Sequence, residues 1–269
     1  VVLAWSAALN QPDGRLHVYF FDVGQGDAIL IRSPAGRQVL LDGGPDGPTL
    51  LTALGRRLPF WDQRLDVVLL SHGDGDHAEG VFAALERYRV NLALDAGLED
   101  DENIGQRWED GLAAAGARRL AAVAGAMLTL PDGVALQILH PPADCSPAWS
   151  GNDRSMVVRL VYGEISLLLT GDLERAGEEW LLEHEWPLDS DVLKVAHHGA
   201  AGGSGAAFLD AVTPAVAIIS AGGGNPHGHP APATLRRLEE RGISVWRTDQ
   251  AGAIEVTSDG KRLWLRSRK

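Results

Sequence analysis

Apolar residues recur along this chain with two different periods. Leu16–Val23 and Ala28–Ile31 are β-rich runs parted by Gly24-Gln25-Gly26-Asp27, and Gln38–Leu41 is a third short run that stops at Asp42-Gly43-Gly44-Pro45. Short runs between such breakers predict an antiparallel meander. Thr49–Leu58 has helical spacing, and Leu65–Leu70 is near-continuously apolar, the mark of a strand covered on both faces. Helices are predicted over Glu79–Tyr88 and, past the acidic stretch Glu99–Glu102, over Ile104–Ala115. The second half repeats the style. Val134–Leu139 is a strand, Met156–Val161 and Ile165–Thr170 a hairpin, and Glu174–His184 a helix. Val192–Ala196 is a strand, Phe208–Val212 a helix and Val216–Ser220 a strand. Ala233–Arg241 reads as a helix, with Ile243–Trp246 and Ala253–Val256 as closing strands. Strands outnumber helices, and each half runs strands before helices. An α+β fold follows, a four-layer αβ/βα sandwich with two sheets face to face and helices outside.

Composition narrows the picture. The 269 residues are 45% hydrophobic, enough for a full core, and 32 are glycine. The formal charge of −12 speaks against a protein that grips nucleic acid through a broadly basic surface. Divalent ions would still make the field at one site positive. Cys145 is the single cysteine, so no intrachain disulfide can form. Val1–Leu9 is apolar but too short to span a bilayer, and it lacks the basic start of a secretory signal. Asn10–Gly14 is a turn-rich linker. Residues 1–14 are either a frayed or clipped terminus or the stub of a membrane helix with its linker.

The chemistry gathers behind the apolar run Leu65–Leu70. His72, Asp74, Asp76 and His77 fall within six positions, and Gly73 and Gly75 allow the chain to turn tightly. Imidazole and carboxylate are the ligands of Zn²⁺ and Mn²⁺. Any one of these residues would pass as an ordinary polar loop position; four together point to metal. Asp172, Asn152 and the pair His197-His198 each adjoin a predicted strand end, where a rigid scaffold can aim them at one point.

The run His72-Gly73-Asp74-Gly75-Asp76-His77 resembles the metal motif of the metallo-β-lactamase superfamily, with Asp74 where a second histidine usually stands. Several further runs occur in one order. They are Phe21-Asp22-Val23-Gly24-Gln25-Gly26-Asp27, Leu41-Asp42-Gly43-Gly44, Asn152-Asp153-Arg154-Ser155, Thr170-Gly171-Asp172, Leu193-Lys194-Val195-Ala196-His197-His198-Gly199 and Gly228-His229-Pro230. Together, over roughly His17 to Val256, they resemble the C-terminal domain of ComEC-type DNA-uptake channels of natural competence.

The resemblance implies two divalent metal ions, Mn²⁺ or Zn²⁺. His72 and Asp74 would hold the first, Asp76 and His77 the second, and Asp172 would bridge them. One residue of His197-His198 would be the last ligand, which of the two being open. Asn152 stands where many members have histidine, and so weak a ligand leaves a one-metal site open. Asp76 and Asp172 would be catalytic. His229 would bind the scissile phosphate or protonate the leaving oxygen, or else it simply packs on Pro230. Lys194, Ser204 and Asn225 would contact substrate, Lys194 having an acidic partner as its alternative. Asp27, Asp42 and Ser155 would orient the ligands. The implied function is a nuclease that degrades the non-transported DNA strand, in a periplasmic domain of an inner-membrane protein. For residues 1–14 the resemblance implies the stub of a membrane helix with its linker, with residues 15–269 as a hydrolase domain. Its partners would be single-stranded DNA, the channel part of the same protein and other competence proteins, with the isolated domain monomeric. Two other readings stand beside it: a hydrolase of another ester class, such as a phosphocholine esterase or lactonase, and a non-catalytic module that guides DNA.

Overall fold

The computed structural model describes residues 11–98 and 102–268. The apolar segment Val1–Leu9 and most of the acidic stretch Glu99–Glu102 lie outside them.

The meander forms as expected. Strands β1 (Leu16–Phe20), β2 (Ile29–Arg32) and β3 (Gln38–Leu41) pair antiparallel in sequence order. Helix α1 (Gly47–Gly55) follows, capped by the Asp46 carboxylate on the Thr49 N–H at 2.9 Å. Then come β4 (Arg64–Leu70), α2 (Gly75–Arg87), β5 (Arg89–Asp95), α3 (Glu102–Ala115), β6 (Arg118–Ala121), β7 (Met127–Thr129) and β8 (Ala135–His140). The hairpin β9 (Val157–Tyr162) and β10 (Ile165–Leu169) leads to α4 (Arg175–Glu183), β11 (Val192–Lys194), α5 (Ala206–Val212), β12 (Val216–Ile219), α6 (Pro232–Glu239) and β13 (Ser244–Arg247). A one-turn helix α7 (Thr248–Ala251) precedes β14 (Ala253–Ser258) and β15 (Leu263–Arg268).

The strands form two sheets. One has eight strands in the order β15-β14-β1-β2-β3-β4-β5-β6, the other seven in the order β13-β12-β11-β10-β9-β8-β7. Strand alternation makes the layers. Val18, Phe20, Ile29 and Ile31 face the second sheet and meet Ile138, Val158, Leu167 and Leu169. Their neighbours Tyr19, Phe21, Leu30 and Leu40 face outward and pack beneath α1, α2 and α3 through Leu50, Leu54, Val81, Leu85 and Trp108. A third apolar cluster lies under the helices of the second sheet, around Leu168, Leu193, Phe208 and Ile219. Three cores between four layers are what two doubly covered sheets require.

Two boundaries bear on the site. Helix α2 begins at Gly75 rather than at Glu79, so Asp76 and His77 sit in its first turn and not in a loop. Strand β11 ends at Lys194, and Ala196–Gly199 forms a tight 3₁₀ turn with His197 and His198 at φ 49° and 53°. Such left-handed backbone costs a non-glycine residue of order 1 kcal/mol, so the surrounding structure must hold it.

Candidate metal centre

The first sheet delivers its share of the site from the ends of β3 and β4 and from the start of α2. Asp42, just past β3, fixes this corner. Its Oδ1 accepts from the Ser71 N–H at 2.8 Å, and its Oδ2 accepts from the Ser71 hydroxyl at 2.7 Å and lies 2.9 Å from His77 Nδ1. An Nδ1–H given to Asp42 leaves His77 Nε2 free to face inward. The β1–β2 loop crosses over the start of α2, where a Cβ at Gly26 would lie 2.2 Å from the Asp76 carbonyl oxygen. Only glycine lets the two backbones come this close.

The second sheet answers from β10 and β11. Asp172 follows β10, with its backbone N–H on the Ser155 hydroxyl at 3.2 Å. Its Oδ1 is 3.2 Å from His77 Nε2. Its Oδ2 is 3.3 Å from His198 Nε2 and 3.7 Å from His197 Nε2. His198 Nε2 is also 3.2 Å from the Asp76 carboxylate. Beside this group, His72 Nε2 stands 3.7 Å from Asp74 Oδ2, and the His72 and His77 rings are 4.2 Å apart.

His77, Asp172, His198 and Asp27 thus bring ligand atoms within 4.8 Å of one another, all buried. Asp27 sits in this cluster rather than behind it, yet its carboxylate is in close contact with the Lys194 ammonium. That ion pair makes Asp27 a poorer candidate ligand than Asp76. The donor atoms suit a cation. His72 Nε2, His77 Nε2 and Asp172 Oδ1 are buried without a hydrogen-bond partner, which is costly unless something positive lies between them. Neutral imidazole and ionised carboxylate are the donor set of Zn²⁺ or Mn²⁺.

The electrostatics agree. Burial alone would raise the Asp172 pKa, but His77 and His198 hold it well below the usual carboxylate range. Burial alone would lower His77 and His198, but Asp172 foremost holds both well above the usual imidazole range. The carboxylates of this pocket demand positive charge.

The histidine pair is resolved by burial. His198 is 1% exposed, and its Nδ1 faces the Ser220 carbonyl at 3.1 Å, leaving Nε2 for the cluster. His197 is 24% exposed and turns Nδ1 to Glu174 at 2.9 Å. Asn152 reaches toward His197, with Nδ2 3.5 Å from Nδ1. His229 stands on the rim, its ring 5.4 Å from that of His197. Burial and the charges of His197 and His198 lower its pKa.

Three expectations for substrate contact are corrected, two by burial and one by hydrogen bonding within a loop. Lys194 is fully buried; its Nζ donates to the Gly171 carbonyl at 2.9 Å and pairs with Asp27, so its acidic partner is the one realised. Ser204 is fully buried and accepts from the Ala196 N–H at 3.2 Å, holding the turn that carries the histidines. Asn225 spends its amide within its own loop, donating to the Gly222 and His229 carbonyls and accepting from the His229 N–H at 3.0 Å. Sequence reasoning missed the Glu174 carboxylate and the Ser220 carbonyl, which orient the two histidines. Neither carried a signal beyond lying near a strand end.

Residues 21–223 match the family described as the metallo-β-lactamase superfamily. The chain belongs to that superfamily. The chain is 33% identical over 262 residues to ComE operon protein 3 of Bacillus subtilis, covering 88% of this chain and 32% of that protein. It is 34% identical over 254 residues to competence protein ComA of Neisseria gonorrhoeae, covering 91% of this chain and 32% of that protein. It therefore spans about a third of the length of these curated relatives. Among solved structures, the metallo-β-lactamase fold protein YhfI of Bacillus subtilis superposes with a TM-score of 0.59 at 13% identity, covering 93% of this chain and 99% of that one. That likeness speaks for the fold alone.

Proposed function

We propose that this member of the metallo-β-lactamase superfamily is a metal-dependent phosphodiesterase that cuts single-stranded DNA, degrading the strand that is not transported during natural transformation. One observation carries the reading. The two oxygens of Asp172 face different histidines, His77 at 3.2 Å and His198 at 3.3 Å, with His72, Asp74 and Asp76 alongside. A carboxylate set between two groups of donors suits two ions that share it. The kinship with competence proteins supports DNA as the substrate.

Two divalent ions, Mn²⁺ or Zn²⁺, would polarise the phosphate and lower the pKa of a bound water to about 7. His72, Asp74, Asp76, His77, Asp172 and His198 hold them on this reading. Asp76, a third exposed, also orients the attacking water. His229, on the rim, donates a hydrogen bond to the phosphate or a proton to the leaving oxygen. Asp42 and Ser155 keep His77 and Asp172 in place. His197 and Asn152 border the entry.

The same reading makes the chain the extracytoplasmic domain of an inner-membrane protein. The channel part of the full-length protein and other competence proteins are its partners. No helix among the described residues is long and apolar enough to cross a membrane.

The test is cleavage of end-labelled single-stranded DNA with Mn²⁺ or Zn²⁺. EDTA should abolish it, and Asp76→Ala should lower it by more than about a hundredfold. Bound metal without cleavage of DNA or RNA would reject the reading in favour of another ester substrate. Failure to bind metal would favour a DNA-guiding module.

A further inference from the structure

A cleft of about 480 Å³ opens beside the start of the β1–β2 loop, and none of the candidate metal ligands lines it. Its walls are the end of α1, the loop start at Phe21 and Asp22, helix α7 and the adjoining ends of β14 and β15. Three arginines line it, Arg56, Arg57 and Arg268. A fourth, Arg32, lies behind it with Nη1 on the Arg57 carbonyl at 3.3 Å. This gathering is unexpected in a chain of net charge −12.

The acids nearby do not neutralise it. Asp249 lines the cleft but is held in both oxygens by Arg247, at 2.6 and 2.9 Å. Glu255 pairs with Arg268 at 3.0 Å but is shared with His17 at 2.9 Å. Asp22 stands at the exposed rim. Arg56, Arg57, Arg247 and Arg268 thus meet the three carboxylates of Asp22, Asp249 and Glu255, a local excess of one positive charge. Arg57 registers the crowding, since burial, Arg268 and Arg56 all push its guanidinium below its usual pKa. Its Cζ is fixed 4.8 Å from the centroid of the Tyr19 ring, so it is presented at little further entropic cost.

We propose that this cleft is a second, metal-independent binding site for the phosphate of a nucleotide, either an internal diester of single-stranded DNA or the terminal phosphate of a mononucleotide. Half-buried guanidinium groups with a shortage of carboxylates are the chemistry that takes phosphate. The cleft's volume is that of a nucleotide-sized site. Asp22 on the cleft and Asp27 in the metal cluster are five residues apart, so at most about 18 Å of chain separates them. One strand a few nucleotides long can lie on the arginines while its next phosphate reaches the metals. The proposal rests on the DNA-cutting reading for the carrier of the phosphate, but binding does not require cleavage.

The experiment is fluorescence anisotropy of a labelled twelve-residue oligo(dT) with the whole chain in EDTA, over a range of salt. Binding is expected without metal. Arg56→Glu, a change at an exposed residue, should weaken it about tenfold and reduce the salt slope by about one. Arg268→Gln should weaken it in the same direction. Arg64→Glu, at the exposed start of β4, should have little effect. Displacement of the oligonucleotide by dTMP identifies a terminal phosphate as the ligand; displacement only by unlabelled oligo(dT) identifies internal diesters. The proposal is overturned if the chain does not bind in EDTA at low salt, or if Arg64→Glu weakens binding as much as Arg56→Glu. Neither result touches the metal-dependent cleavage assay, so the two readings fail separately.

Discussion

Asp42 accepts three hydrogen bonds and touches no substrate, yet the orientation of His77 depends on it. Asp42→Asn keeps the shape and weakens the acceptor for His77 Nδ1. Metal affinity should fall about 10- to 100-fold, read by titration calorimetry with Zn²⁺, while the fold persists. Lys194 offers the opposite case. Removing its ammonium leaves Asp27 charged and buried with its main partner gone. Lys194→Met should therefore cost about 3–5 kcal/mol in a denaturant titration. The double variant Lys194→Met, Asp27→Leu should recover much of it, an outcome that a lysine serving only to bind DNA would not give. The sequence marked His72, Asp74, Asp76, His77 and Asp172 by type and spacing. It could not separate His197 from His198, because that choice depends on Glu174 and the Ser220 carbonyl, which meet the pair only in three dimensions.

The helices and strands differ in how openly the sequence displays them. Strands buried over most of their length, such as β4 and β10, carry runs of aliphatic residues and are readable. β6, β7 and β15 lie at or beside sheet edges, carry exposed arginine, methionine or serine, and leave no apolar run. β5, next to the edge strand β6, is hidden because Arg89 and Asn91 break its apolar run and Asp95 ends it. Asp95 is buried where it accepts from Trp108 Nε1 at 2.9 Å and pairs with Arg119. The start of α2 was misplaced because Gly75, Asp76 and His77 are poor helix formers that tertiary contacts override. Its packing explains the sensitivity of the site. A Cβ at Gly80 would come within 1.9 Å of the Gly43 carbonyl oxygen. Gly80→Ala should therefore displace the helix and lower both metal affinity and stability.

Helix α4 carries a pH-dependent tie to the loop after the histidines. Glu178 is buried, accepts from the Ser204 and Gly205 N–H groups, and is pushed up to about 7 by burial. An unfolded glutamate near 4.5 loses its proton first. Between about pH 4.5 and 7 the folded chain holds the extra proton, so Glu178 makes stability fall as pH rises, by about 3 kcal/mol across the window. Glu178→Gln should flatten that part of the Tm–pH profile. An unchanged slope would show that Glu178 titrates normally.

Across the molecule, both sheets contribute to the candidate centre, four residues from one and two from the other. Asp74, Asp76, His72 and His77 come from one, Asp172 and His198 from the other. A tightly held metal therefore stabilises the docking of the halves as well as each ligand. At a metal concentration 1,000 times its Kd the gain is about 4 kcal/mol. EDTA should then lower the Tm by about 10 °C for a domain of this size. An unchanged Tm would mean that the centre binds metal weakly or not at all.

The shared centre also has a consequence in time. A site whose donors are split between β4–α2 and β10–β11 does not exist until those distant stretches of chain have met. In refolding followed by stopped flow, backbone signals from the β1–β3 hairpins should rise early, because their contacts are local. Capture of a fluorescent metal probe should lag behind them and mark the moment at which the two sheets close on each other. The ion would then act as a clock hand for the last step of folding, and any variant that slows sheet docking would delay it while leaving the early phase unchanged.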